Sequence, residues 1–323
     1  MRRRLLALTV VSLLLFGTAA CGNDSGKPGA SSSASVDMGD AIPGLKVSGA
    51  VGAEPKVTLD KPVSVDKPVT HVISAGHGNP VQAGQEALLH IYLANGNTGK
   101  KAAATYDQGF PIDVKMDESA LFKPVIDGLV GKPQGSRVAI AAPVKDIYGP
   151  QGNSQLKLKA SDSVVFVVDV MSVPPKKVLD GPQGDKANVP SNIPGVQEKS
   201  GNVTGLDFSK APKKPGNKLQ VIPLVQGHGP AARAQSLVTF DYFGEVYGAD
   251  KPFDESFSKS PVTFALGMNK LIQGWDKGLV GVKAGSRVMI IVPPDQGYGP
   301  QAQANIPANS TLVFVVDILG VDG

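Results

Sequence analysis

The 323-residue chain is 41% apolar and 19% charged, with a formal net charge of +4, and is long enough to bury two separate cores. Three of its 32 basic residues are Arg2, Arg3 and Arg4, so the remainder balances its 28 acidic residues to within one positive charge, which excludes nucleic acid as a partner. Cys21 is the only cysteine, so no disulfide can support either core.

In chain order, the basic start at Arg2 to Arg4 and the apolar run from Leu5 to Phe16 read as an export signal over residues 1–20, too short to span a bilayer as a mature helix. Gly17, Thr18, Ala19 and Ala20 then lead into Cys21, a pattern that resembles the lipobox of bacterial lipoproteins, with Thr18 departing from the usual leucine. That resemblance implies acylation of Cys21, a membrane lipid anchor and an extracytoplasmic location. The alternative is a plain signal peptide cut after Ala20 that leaves a free thiol. Residues 21–41 are rich in Ser and Gly, with little apolar content, and read as a flexible tether.

Beyond the tether the chain repeats itself. Gly128, Gly131, Gly135, Ser136, Arg137, Tyr148, Gly149 and Pro150 recur as Gly278, Gly281, Gly285, Ser286, Arg287, Tyr298, Gly299 and Pro300, a constant offset of 150 positions. Ile42, Pro43, Gly44 and Gly76, His77, Gly78 recur 151 positions later, from Ile193 and from Gly227. Each repeat therefore carries its own leader, either a strand of the sheet or an extended wrap. The domains expected are residues 42–175 and 193–323, separated by a Pro-, Gly- and Lys-rich linker over 176–192.

In the second repeat, β-branched and aromatic content predicts strands over Ser236 to Val246, Ser260 to Leu266, Arg287 to Val292 and Thr311 to Leu319. In the last of these Leu312, Phe314, Val316 and Ile318 alternate with Val313, Val315 and Asp317, the period of a half-buried antiparallel strand. Asn269 is placed to cap a short helix whose apolar stripe is Leu271, Ile272, Trp275 and Leu279. One helix among several strands without βα alternation predicts an α+β fold, an antiparallel sheet curled around that helix, in each repeat.

The second repeat also reads Thr239 to Gly244 (TFDYFG), Lys251 to Asp254 (KPFD), Ile272 to Trp275 (IQGW), Pro294 to Gly299 (PDQGYG) and Ile306-Pro307. From about Leu219 onward this order and spacing resembles an FKBP-type peptidyl-prolyl cis-trans isomerase. The resemblance implies Trp275 as the floor of an aromatic cup, Tyr242, Phe253, Val262, Phe264, Leu271, Ile272 and Phe314 as walls, and Tyr298 as a hydroxyl donor. It makes Asp254 a polar group at the rim and Ile306 a lip whose backbone amide can donate. No cofactor or metal is implied; the partners implied are prolyl segments of unfolded or exported polypeptides, with macrolides as competing ligands. On residue type alone Phe264, Ile272 and Phe314 also suit an ordinary core, Asp254 a turn, and Tyr298 a pin for its loop.

Applying the offset of 150, Tyr242 falls on Tyr92, Phe253 and Asp254 on Ala103 and Ala104, Phe264 on Val114, and Gly274 and Trp275 on Pro124 and Val125. The first repeat is thus expected to keep the scaffold and lose the cup, leaving a void or a shallower depression. His71, His77, His90 and His228 have no partner at metal-ligand spacing and are expected in solvent-facing loops, with Gly76, Gly78, Gly227 and Gly229 in turns that use positive φ. The later Lys and Arg residues read as a solvated surface. No Gly-x-Ser-x-Gly elbow supports a hydrolase. The function expected is prolyl isomerisation by the second repeat, in the folding of exported proteins; the alternative is a non-enzymatic polypeptide-binding lipoprotein.

Overall fold

The computed structural model describes residues 38, 39 and 41–322; the expected signal segment, Cys21 and nearly all of the tether lie outside the described residues. The chain divides into two compact units at the Met171–Ser172 bond.

The first unit opens with a hairpin of β1 (Leu45–Ser48) and β2 (Lys56–Leu59). It continues through β3 (Val69–Ser74), β4 (Glu86–Asn95), β5 (Lys101–Ala104), β6 (Ile112–Lys115), α1 (Lys123–Leu129), β7 (Arg137–Pro143), α2 (Val144–Tyr148) and β8 (Ser163–Ser172). The sheet order is β3-β7-β8-β4-β5, with β6 also paired to β4. Two helices therefore stand where one was expected, the second a five-residue turn after β7. Pro124 lies in the first turn of α1, where no N–H is needed, so the helix forms despite it.

The second unit has β9 (Gly184–Lys186), the hairpin β10 (Gly195–Lys199) and β11 (Asn202–Asp207), then β12 (Gln220–Gly227), β13 (Ser236–Val246), β14 (Pro252–Glu255), β15 (Val262–Leu266), α3 (Gln273–Gly278), β16 (Arg287–Val292) and β17 (Leu312–Val321). Its order, β14-β13-β17-β16-β12-β9 with β15 on β13, reproduces that of the first unit with β9 added at the edge. Residues 176–192, expected as a linker, thus supply an antiparallel edge strand against Val225 to Gly227.

Each leader supplies a strand to its sheet, one of the two alternatives, and a hairpin that neither alternative described. Its first half is a separate hairpin and its second half, β3 or β12, is a strand of the main sheet. In the second unit the hairpin residues Val203 and Leu206 pack with Phe243, Met289, Ile291, Val313 and Val315 on the back of the sheet. For that reason β17 is buried on both faces rather than half-buried: Leu312, Phe314, Val316 and Ile318 face the helix side, and Val313 and Val315 face the hairpin.

The back faces also bury charge, contrary to the expected solvated surface. Arg137 and Arg287 are 0% and 3% exposed. Arg137 pairs with Asp169 at 2.6 and 2.7 Å and donates to the carbonyls of Gly49, Ala50 and Ala53 in the turn of the first hairpin. Arg287 pairs with Asp317 at 2.5 and 2.7 Å and donates to the Gly201 carbonyl and the Glu198 carboxylate of the second. A planar fork of five donors suits this arrangement, in which each guanidinium joins its sheet to its hairpin.

The histidine and glycine expectations need similar correction. His71 lies in β3 and His90 is buried in β4, its Nδ1 2.9 Å from Thr105 Oγ1 and its ring stacked on Tyr106 at 4.2 Å; only His77 and His228 are exposed. Gly76, Gly78, Gly227 and Gly229 are absent from the positive-φ glycines. Room is what Gly76 and Gly227 provide: a Cβ on Gly76 would lie 2.0 Å from the Gln134 carbonyl oxygen, and one on Gly227 would lie 2.3 Å from that of Ala284. Their amides donate to Ser136 and Ser286, which explains the serine of each Gly-Ser-Arg motif.

Candidate active site

The site forms on the helix side of the second sheet. In β13, period-two alternation places Val238, Phe240 and Tyr242 on that side and Phe243 on the back. β14 then brings Asp254 opposite Gly244. A Cβ on Gly244 would meet the Phe253 ring at 2.8 Å and the Phe314 ring at 2.9 Å, so this glycine makes room for two aromatic walls.

The helix that carries Trp275 begins after Ile272, which takes the N-cap position without a side-chain cap. Asn269 is not the cap. It adopts φ +56° in the preceding turn, and the amides of Gly267 and Asn269 both donate to the Asp276 carboxylate, which closes that turn onto the helix. Gly274 has Val292 so close that a Cβ would lie 2.5 Å from its Cγ1. The glycine before the tryptophan thereby lets the helix settle on β16.

Trp275 is 5% exposed and is ringed by aromatic edges: Phe240 at 4.9 Å, Phe314 at 5.1 Å and Tyr242 at 5.5 Å between centroids. Phe253 stands against Phe314 at 5.6 Å in the same edge-to-face manner. Val262, Leu271 and Ile272 pack partly buried against this cluster. Phe264 stacks on Phe240 at 5.8 Å and Tyr298 sits on the loop after β16; at 40% and 41% exposed, both are rim residues rather than core. Phe240 was missed by sequence reasoning, although its two-residue spacing from Tyr242 was the available signal.

The polar groups gather at one edge. The Tyr242 hydroxyl donates to Asp254 Oδ2. Burial, then the bond to Asp254, pushes the Tyr242 phenol well above its ordinary range. Burial, then the Asp254 charge, does the same more mildly to Tyr298. Both phenols are therefore donors at any physiological pH. Lys259 Nζ lies 3.7 Å from Asp254 in an exposed pair. The Trp275 ring N–H is buried with no hydrogen-bond partner among the described residues.

Ile306 differs from its expected role. Its side chain is 7% exposed and its amide donates to the Gln303 carbonyl, so it is a wall residue with its N–H already used. The Ile272 carbonyl takes the amides of Trp275 and Asp276, while no described bond uses the Ile272 N–H. The Ile272 amide, unlike that of Ile306, is therefore not engaged by a bond among the described residues. Among the described residues no group of three or more His, Cys, Asp or Glu side chains is placed to hold a metal.

The stretch that carries these residues is also the one that the comparison with known families matches. The profile of the FKBP-type peptidyl-prolyl cis-trans isomerases matches residues 229–319. The FK506-binding protein of Streptomyces anulatus is 33% identical over 111 residues, covering 33% of this chain and 90% of the relative. The chain belongs to the FKBP-type peptidyl-prolyl cis-trans isomerases. FK506-binding protein 4 of Aspergillus fumigatus is 41% identical over 95 residues, 29% of this chain, and the match spans only 19% of that longer protein. Among solved structures, FkpA from Escherichia coli is 34% identical over 32% of this chain and 48% of its own, with a TM-score of 0.30. The profile match thus runs from just after β12 into β17 of the second unit.

Strand pairing corrects the correspondence between the units. Tyr92 opposite Ala104 and Leu93 opposite Ala103 in the first match Phe243 opposite Glu255 and Gly244 opposite Asp254 in the second, an offset of 151 rather than 150 in this hairpin. Tyr242 therefore corresponds to Ile91, and Phe253 and Asp254 to Ala102 and Ala103; Tyr92 packs on the back face with the hairpin. The cup of the first unit has lost its hydroxyl–carboxylate pair as well as its tryptophan. Val125 is 1% exposed, and Phe122 takes up space near it, packing on Tyr148 at 5.3 Å and Phe166 at 6.4 Å. The Tyr148 hydroxyl is buried without a partner among the described residues, and burial raises that phenol to about 12.

Proposed function

We propose that the second unit catalyses cis-trans rotation of X-Pro bonds, with no covalent intermediate and no cofactor. The observation that carries this reading is the aromatic enclosure of Trp275 by Phe240, Tyr242 and Phe314, with Asp254 and Tyr298 at its rim. Rotation about the peptide bond costs about 18–20 kcal/mol because amide resonance is lost on the way. The planar amide has the larger charge separation, so a dry cup disfavours it relative to the twisted form. A prolyl ring seated against Trp275 and Phe314 places the preceding carbonyl at the rim, within the province of the Tyr298 hydroxyl and the Ile272 amide. The Asp254–Tyr242 pair fixes the acidic wall and presents a carboxylate to the partly positive carbonyl carbon.

The substrate class is prolyl segments in unfolded or loop regions of exported polypeptides, with an apolar residue before proline favoured by Val262, Phe264 and Ile306. The same enclosure suits a macrolide. The first unit, lacking Trp275, Tyr242 and Asp254 equivalents, acts as a non-catalytic domain. Acylation of Cys21 and extracytoplasmic placement complete the proposal, on the strength of residues 1–21 alone.

The test is a protease-coupled prolyl-peptide assay on the full chain, with Trp275→Ala and Asp254→Ala. Rate enhancement by the parent chain and its loss in both variants supports the proposal; equal rates in all three refute the site. Suppression of aggregation without rate enhancement would favour polypeptide holding instead.

A further inference from the structure

The acidic wall of the cup is tied to a part of the chain that the family match does not include. Residues 253–259 carry Phe253 and Asp254 on the cup side, yet Phe257, three positions after Asp254, packs on the back face with Val203, Leu206 and Phe208. Between them Ser256 is 3% exposed and registers the wall: its Oγ accepts the Tyr242 amide and donates to Asp241, and its own amide donates to the Tyr242 carbonyl. Phe257 is then held from outside the match. Its carbonyl accepts from Asn202 Nδ2 at 3.2 Å, and its ring lies 5.8 Å under the Arg287 guanidinium, which Glu198 and the Gly201 carbonyl hold in turn.

The first unit shows why this matters. Under the offset of 151, Thr105 stands for Ser256 and makes the same two bonds, to the Ile91 amide and to His90 in place of Asp241. Tyr106 stands for Phe257, and its hydroxyl donates directly to Asp169 at 2.7 Å. There the segment is pinned to its own sheet. A phenylalanine cannot make that bond, so in the second unit the pin is the hairpin itself.

We propose that the hairpin of residues 195–207 positions the catalytic wall, with Phe257, Asn202 and Glu198 as positioning residues that act through Ser256 on the Tyr242–Asp254 pair. This rests on the isomerase reading of the cup. It makes the hairpin part of the working enzyme rather than a connector, and predicts that the family-matched segment alone is a poorer catalyst than the intact unit.

The experiment uses the full chain and two readouts: kcat/KM on a prolyl peptide, and emission of Trp275, the only tryptophan. Measurements are made well below each variant's own Tm, so that loss of folded protein does not enter. Phe257→Ala and the double change Glu198→Gln with Asn202→Ala are expected to lower kcat/KM about tenfold and to shift Trp275 emission to the red. Phe257→Tyr, which copies the first unit's pin, is expected to retain activity within about twofold. Thr204→Ala, which removes an exposed bond inside the hairpin, is expected to change neither readout. If Phe257→Ala and the double variant lower Tm while leaving kcat/KM and emission at parental values, the hairpin only stabilises and the inference falls, with the isomerase reading intact. If the parent chain shows no activity, that reading falls first, and an unshifted emission in Phe257→Ala then overturns the coupling as well.

Discussion

The two units share a sheet order and a back-face arginine, and differ in what the helix side encloses. In the second, Trp275 lies among the edges of Phe240, Tyr242 and Phe314, with Tyr298 open at the rim. In the first, Val125 stands where the indole would be, and Phe122 packs against Tyr148 and Phe166. One scaffold therefore carries two different sets of side chains on its helix side. What separates the units is which side chains fill the helix side.

The largest expected effect tests what the units share. Arg137→Ala and Arg287→Ala each leave a buried carboxylate, Asp169 or Asp317, without its paired cation, and each is expected to destabilise its own unit by about 3–5 kcal/mol. Chemical denaturation resolved for the two units checks this; a loss in only one would break the equivalence. Next, Trp275→Val makes the second cup resemble the first, and kcat/KM is expected to fall about 100-fold, near 2.7 kcal/mol of transition-state stabilisation. The reciprocal change, Val125→Trp, is expected to confer no isomerase activity and to destabilise by about 1–3 kcal/mol, because the larger ring must enter a position that is already fully buried. Val125→Trp combined with Phe122→Ile sharpens the comparison, since relief of the destabilisation would show that Phe122 is the obstruction.

The smallest effects are in pH, and they have opposite signs. Burial lowers the pKa of His90, with the Asp169 charge opposing it. The unfolded first unit therefore binds the proton more readily, so the His90 contribution is complete above about pH 6.5 and is lost as pH falls through the lower folded value. Glu245 in the second unit is 2% exposed with Oε1 unpartnered among the described residues, and burial, aided by Asp250, raises it to about 7. Its contribution is complete below its unfolded value and is lost as pH rises through about 7. Thermal melts from pH 5 to 8 are expected to show the first unit gaining and the second losing stability, with His90→Gln and Glu245→Gln each flattening its own unit's trend.

Much of the cup was legible in residue type and spacing. The Tyr-Phe-Gly, Phe-Asp, Gly-Trp and Tyr-Gly strings have their residue types for local reasons: Gly244 clears two rings, and Gly274 lets a helix touch a strand. Alternation in β13 would have yielded Phe240 had it been followed one step back. The offset between repeats was legible only to within one residue, and that residue decided whether Tyr92 belonged to the cup or to the back face. Asn269 was a plausible cap by type, but Asp276 reaching back to two amides holds it in a left-handed turn instead.

By itself the sequence determined the repeat, the α+β class and which aromatic residues the second copy carries where the first does not, because these depend on side-chain type and short-range periodicity. Only the tertiary structure decided that each leader is a hairpin over the back of its sheet, that Arg137 and Arg287 are buried ties, and that Ile272 rather than Ile306 has the unused amide. Those outcomes come from pairing between residues about 30 to 90 positions apart, where a buried charge is tolerated only because its partners arrive from distant strands.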